Sequence, residues 1–136
     1  MLSKEELAAF LKTEFPQTKC TIDDVWHRGA SVRHEVGYDE LRPGGTVSGP
    51  TLMAVADVAL YVAILSEIGL VALAVTTNLT INFLRKPRAD KDLVAQCSLL
   101  KVGKSLIVGE VSLYSAGEEE PVAHVTGTYA IPPQKT

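Results

Sequence analysis

Gly49-Pro-Thr-Leu-Met-Ala-Val-Ala-Asp57-Val-Ala-Leu-Tyr61-Val-Ala-Ile-Leu65 is the stretch on which the fold turns. Pro50 suits the first turn of a helix, where its missing N–H would have had no partner. Apolar residues then run almost unbroken to about Glu67. A helix of this length that is apolar nearly all round must be wrapped on most sides in a soluble chain. Between Arg42 and Glu67 there is one charge, Asp57.

The segments on either side supply the wrapping. Upstream, Tyr38 to Ser48 reads as a loop punctuated by Pro43, Gly44 and Gly45. Thr21 to Gly37 reads as two strands broken at Gly29-Ala30, with Val25, Val32 and Val36 turned inward. Ser3 and Glu6 have capping-box spacing, Leu7, Phe10 and Leu11 recur at helical intervals, and Pro16 stops the run, predicting a helix over 3–15. Downstream of Gly69 come four β-rich segments, near 71–85, 92–102, 105–116 and 121–131. The breaks at Gly103-Lys104 and Gly117–Glu120 are short enough for antiparallel hairpins. The expected architecture is α+β, a curved antiparallel β-sheet wrapped around a long central α-helix. The last four strands are expected to form a meander. One domain over 1–136 accounts for the chain, with 1–19 as N-terminal helix and lead-in. A single sheet can hardly enclose a helix apolar on every face, so a homodimer is expected.

Composition narrows the function classes. The 136 residues are 46% hydrophobic and 21% charged, a globular composition. A net charge of -3 argues against nucleic acid as the main partner. Charges at Lys4, Glu5 and Glu6 fall where a signal peptide would have its apolar core. The longest charge-free stretch, Ile68–Leu84, holds Thr76, Thr77, Asn78, Thr80 and Asn82, so no membrane partner is expected. Cys20 and Cys97 lie far apart without metal-ligand spacing and read as ordinary thiols of a cytoplasmic protein. No metal or other cofactor is implied.

Burying an unpaired carboxylate costs several kcal/mol even after relaxation, so Asp57 requires a reason. One is structural: a helix residue at a seam, bonded to a neighbouring Ser, Thr or Tyr. The other is chemical: a base or nucleophile in a partly dry pocket. Composition does not decide between them. The helix start offers a second chemical element, because free N–H groups and a partial positive charge there can hold an oxyanion. Gly49 permits close approach, and Pro50 leaves the Gly49 N–H as the prominent donor. Asp57 stands eight residues further on, about 12 Å along the axis. One reacting carbon cannot touch both within a chain, so a site that uses both is built between subunits.

The segment Gly45-Thr-Val-Ser-Gly-Pro-Thr-Leu-Met-Ala-Val-Ala-Asp57-Val-Ala resembles the signature of PaaI-like hotdog-fold acyl-CoA thioesterases. Thr76-Thr-Asn-Leu-Thr-Ile-Asn-Phe-Leu-Arg-Lys-Pro87 is similar to that family's central strand and its basic exit. Val102-Gly-Lys104 and Gly127-Thr-Tyr129 match its later hairpin and last strand. The resemblance implies hydrolysis of an acyl-CoA thioester to free acid and coenzyme A, in a homodimer that often pairs into a tetramer. It implies that Asp57 activates water or attacks the carbonyl, that the Gly49 N–H polarises that carbonyl, and that Thr76 stands beside the carboxylate. Relatives usually read His-Gly-Gly at the helix start, where this chain has Ser48-Gly49-Pro50. Many have Asn where it has Arg42. Ser48 can make one of the missing hydrogen bonds and Arg42 can supply charge.

Arg85, Lys86, Arg88 and Lys91 place four positive charges in seven residues, either as a solvated turn or as a mouth for the phosphates of coenzyme A. Tyr61 shares the face of Asp57 and is expected in the core, at an interface or against an acyl group. His27, His34 and His124 show no metal or triad spacing and are expected to be structural or at the surface. No elbow motif surrounds Ser48, so it is not expected to be a nucleophile. The alternative on the same fold is a non-catalytic acyl-CoA binding or sensing module. A hydratase is disfavoured, because the fifth residue after Asp57 is Val62 where hotdog hydratases carry His.

Overall fold

Ser48 turns extended chain into helix. Its φ/ψ of -67°/148° is extended, and its Oγ accepts the Thr51 N–H at 3.3 Å, satisfying one donor of the first turn. The helix it opens, α2, runs Gly49–Ile68 in the computed structural model, which describes residues 2–133. The single domain expected over 1–136 therefore extends at both ends to residues outside the described ones. A shorter helix, α1 (Lys4–Glu14), precedes it, with the Ser3–Glu6 capping box formed as expected.

Among the described residues, eight strands complete the architecture: β1 (Thr21–Trp26), β2 (Gly29–His34), β3 (Leu41–Arg42), β4 (Thr46–Val47), β5 (Val75–Phe83), β6 (Leu93–Val102), β7 (Leu106–Ser115) and β8 (Ala123–Ala130). Six form one antiparallel sheet in the order β1-β2-β6-β7-β8-β5, wrapped around α2, and β3 and β4 pair by themselves. β6, β7 and β8 alternate inward and outward along their length. Leu93, Ala95, Cys97 and Leu99, then Ile107, Val111 and Leu113, then Ala123, Val125 and Tyr129 are all buried. Two glycines in register across β7 and β8, Gly109 and Gly127, let α2 come close. A Cβ on Gly109 would lie 2.7 Å from Leu60 Cδ2, and one on Gly127 2.5 Å from Leu60 Cδ1. Leu60 is thus seated in a hollow made by missing side chains.

Three expectations need correction. The last four strands are not a meander, because only β6, β7 and β8 are joined as successive hairpins. β5 lies at the far edge and pairs with β8, so the Pro87–Lys91 break carries the chain across the sheet. β5 also begins at Val75, after turns over 70–74. The β1–β2 break falls at His27-Arg28, with Arg28 in the left-handed region at φ 57°. Gly29 is the first residue of β2, where a Cβ would fall within the Trp26 indole.

α2 is long and apolar enough to cross a membrane by length and composition, yet it is the core helix around which this sheet wraps. Its wrapping is incomplete along one stripe. Pro50 and Ala54 are exposed, and Met53, Asp57 and Tyr61 are half-buried, which is helical spacing along one face. The single charge of the helix core therefore lies at the opening in the sheet.

Candidate active site

Position 57 is fixed by α2, and two neighbouring strands supply its partners. Thr76 Oγ1 on β5 donates to Asp57 Oδ1 at 2.7 Å, and Tyr129 OH on β8 donates to the same oxygen at 2.8 Å. Among the described residues, Oδ2 takes no hydrogen bond. The carboxylate is thus clamped through one oxygen, and the other keeps its acceptor capacity unused among the described residues. Tyr129 is held in turn by its ring, stacked on Tyr61 at 6.2 Å and 26°. Burial raises the Tyr129 phenol above its ordinary range and the Asp57 charge adds to the shift, so Tyr129 is a hydrogen-bond donor at neutral pH. Tyr61 donates its own hydroxyl to the Ala72 carbonyl at 3.2 Å and meets Phe15 edge-on. Asp57, Tyr61, Thr76 and Tyr129 line a cavity of about 420 Å³.

Gly49 is in a different cavity, of about 320 Å³, with Leu52, Phe83, Arg85 and Lys86 among its walls. A Cβ at position 49 would meet Phe83 Cζ at 3.0 Å, so the helix start lies bare beneath that ring. Arg85 reaches Glu120 at 2.7 Å and the Pro121 carbonyl at 3.0 Å, while Lys86 makes no ion pair among the described residues. Ser48 Oγ faces its own helix, bonded to the Thr51 N–H and, at 2.8 Å, to the Thr51 hydroxyl. Pro50 is exposed in the first turn. Arg88 makes a two-pronged pair with Asp90 at 2.9 Å and is not among the residues lining this cavity. Arg42 is exposed on β3 and lines neither cavity. The structure thus brings Asp57, Thr76 and Tyr61 together in one place, and Gly49, Arg85 and Lys86 in another.

Residues 44–122 match the family described as the thioesterase superfamily. The chain belongs to that superfamily. A candidate thioesterase from Silicibacter sp. is 46% identical, with a TM-score of 0.90 over 98% of this chain and 94% of its own. PaaI from the phenylacetic acid degradation operon of E. coli is 25% identical, with a TM-score of 0.74 over 93% and 90% of the two chains. Zebrafish thioesterase superfamily member 2 shares the fold at 18% identity, with a TM-score of 0.84 over 97% of this chain and 100% of its own. No curated protein matches the sequence. The PaaI-like hotdog fold expected from the residues is therefore the fold of this thioesterase-superfamily chain, and thioester hydrolysis is its general chemistry.

The sequence reading of this thioesterase-superfamily protein missed two features. Tyr129 reads in the sequence only as part of a closing strand, yet it donates to Asp57 across 72 residues. Nothing in the spacing of Cys20, His34 and Glu40 links them, yet they form a chain in a cavity that Asp57 also lines. Cys20 Sγ lies 3.8 Å from His34 Nδ1, and His34 Nε2 lies 2.7 Å from Glu40 Oε2. The sequence signal was the run of alternating residues that sets His34 at the end of β2, opposite the lead-in carrying Cys20.

Proposed function

We propose that this chain hydrolyses acyl-CoA thioesters at a site shared by two subunits. The observation that carries the reading is the Asp57 carboxylate, held through Oδ1 by Thr76 and Tyr129 at the one open stripe of an otherwise buried helix. In the reaction a water oxygen attacks the thioester carbonyl carbon while Asp57 takes its proton, or Asp57 attacks first and water cleaves the mixed anhydride. The Gly49 N–H at the partner's helix start stabilises the charge developing on the carbonyl oxygen. The carbon–sulfur bond breaks, and coenzyme A leaves as a thiolate that is then protonated. Arg85 and Lys86 line the Gly49 cavity and suit the phosphates of coenzyme A, Lys86 the more readily because Arg85 is paired with Glu120. Arg88, neutralised by Asp90, contributes less. An exposed edge at β5, with Phe83 56% exposed, supports a homodimer, and pairing of dimers follows from the family likeness.

Thiol release from a panel of acyl-CoAs, run on the wild type and on Asp57→Asn, tests the reading. Turnover should fall by about a hundredfold or more in the variant, with the melting temperature held. Equal turnover by the two proteins refutes the role of Asp57. Tight binding without thiol release by the wild type makes the chain a binding module instead.

A further inference from the structure

The cavity on the other side of Asp57 contains a second reactive group. It measures about 280 Å³, and Cys20, His34, Glu40 and Asp57 are all on its walls. Glu40 is fixed from three directions: Gly37 N–H donates to Oε1 at 2.7 Å, Lys19 Nζ reaches the same oxygen at 3.2 Å, and His34 Nε2 meets Oε2. Burial alone would raise the Glu40 carboxyl, but these three partners outweigh it and hold the group below its ordinary range. An ionised carboxylate only accepts, so His34 carries its proton on Nε2. In the neutral ring Nδ1 is then the acceptor, and it is the nitrogen that faces Cys20 Sγ. His34 is 6% exposed, so the tautomer is set by fixed neighbours and not by bulk water. Burial raises the Cys20 thiol, which therefore rests protonated and needs a base before it can attack. A nucleophile, a base within reach and a third group orienting the base are together the arrangement that activates a thiol.

We propose that Cys20, His34 and Glu40 form a second acyl-accepting site, at which Cys20 takes the acyl group of a thioester substrate. The substrate class rests on the thioester reading above. As Cys20 Sγ attacks the carbonyl carbon, its proton passes to His34 Nδ1. The tetrahedral intermediate collapses, the carbon–sulfur bond to the leaving thiol breaks, and His34 Nδ1 returns the proton to that thiolate. One thioester is exchanged for another with no change of oxidation state, and the acyl group is left on Cys20 in the cavity it shares with Asp57. Glu40 acts through His34 as a positioning residue. Cys97 is fully buried in β6 and takes no part.

Hexanoyl-CoA is the probe. Wild type and Asp57→Asn are incubated with it and digested with trypsin, and the peptide beginning at Cys20 is examined by mass spectrometry for a hydroxylamine-labile hexanoyl group. The adduct is expected on Cys20 in both proteins and absent from Cys97. His34→Gln should slow acylation about a hundredfold. Glu40→Gln should slow it at saturating hexanoyl-CoA, with the half-saturating concentration unchanged. A bare Cys20 in both proteins overturns the proposal, and so does acylation equally fast in the two cavity variants. The two readings separate cleanly. Acylated Cys20 with undiminished turnover in Asp57→Asn keeps this site and removes the role of Asp57. Bare Cys20 with turnover lost in Asp57→Asn does the reverse.

Discussion

At Asp57 a single oxygen receives two hydroxyl groups, and the consequence is directional. A carboxylate on a helix can rotate about its side-chain bonds, and a donor on each of two strands removes that freedom. Each bond to a charged group is worth about 1.5–3 kcal/mol, so deleting one should lower kcat by about ten- to a hundredfold. Tyr129→Phe is the cleaner substitution, since the ring keeps its stack on Tyr61 and loses only the hydroxyl. Steady-state thiol release should show the fall in kcat with KM unchanged, and Thr76→Val should behave alike. A fall confined to KM would mean that the hydroxyls bind substrate and do not hold the base. Residue-level chemistry makes a second prediction at Cys97. Burial, aided by the Glu110 charge, pushes this thiol up to about 12 from an ordinary 9.0. The folded chain therefore keeps a proton that the unfolded chain gives up, and stability declines as pH rises through that window. Urea midpoints measured at its two ends should drop for the wild type, and the drop should shrink in Cys97→Ala. Asp57 was legible in the sequence because a lone charge in an apolar run is a local signal. Tyr129 was not, because its contact depends on the strand order.

Strand order also decides what could be read among the elements. α2 and α1 followed from spacing, caps and Pro50, which are features of adjacent residues. The hairpins β6–β7 and β7–β8 followed from short breaks. The position of β5 did not, because pairing with β8 instead of β6 is a non-local choice that no turn residue announces. The hollow under Leu60 was hidden for the same reason: Gly109 and Gly127 are adjacent only once β7 and β8 are in register. That register has an energetic consequence. Gly127→Ala would set a methyl against Leu60 Cδ1, and overpacking of this kind costs about 1–3 kcal/mol. Chemical denaturation should show the loss, and the same substitution in a Leu60→Ala background should cost less than in the wild type. Equal costs in both backgrounds would mean that the sheet, and not Leu60, resists the methyl.

For the whole molecule the question is where Gly49 and Asp57 meet. Within one chain they line separate cavities with no residue in common. β5 forms one wall of each, through Phe83 at one end and Thr76 at the other. It is also an edge strand with free backbone groups on its outer side, the kind of edge that a second copy can extend. A two-fold axis beside β5 would turn the Gly49 end of one helix toward the Asp57 of the other, giving two equivalent composite sites per dimer. Such sites can be rescued in trans. Gly49→Val should be inactive because its side chain drives into Phe83, and Asp57→Asn should be inactive for lack of the base. A mixed dimer of the two holds one site in which both groups are intact and one in which both are spoiled. With random pairing, half the dimers are mixed, so co-expression should restore about a quarter of wild-type thiol release. If the co-expressed pair stays as inactive as either variant while mixed dimers are demonstrably formed, the two groups do not serve one reaction, and the catalytic unit has to be sought within a single chain.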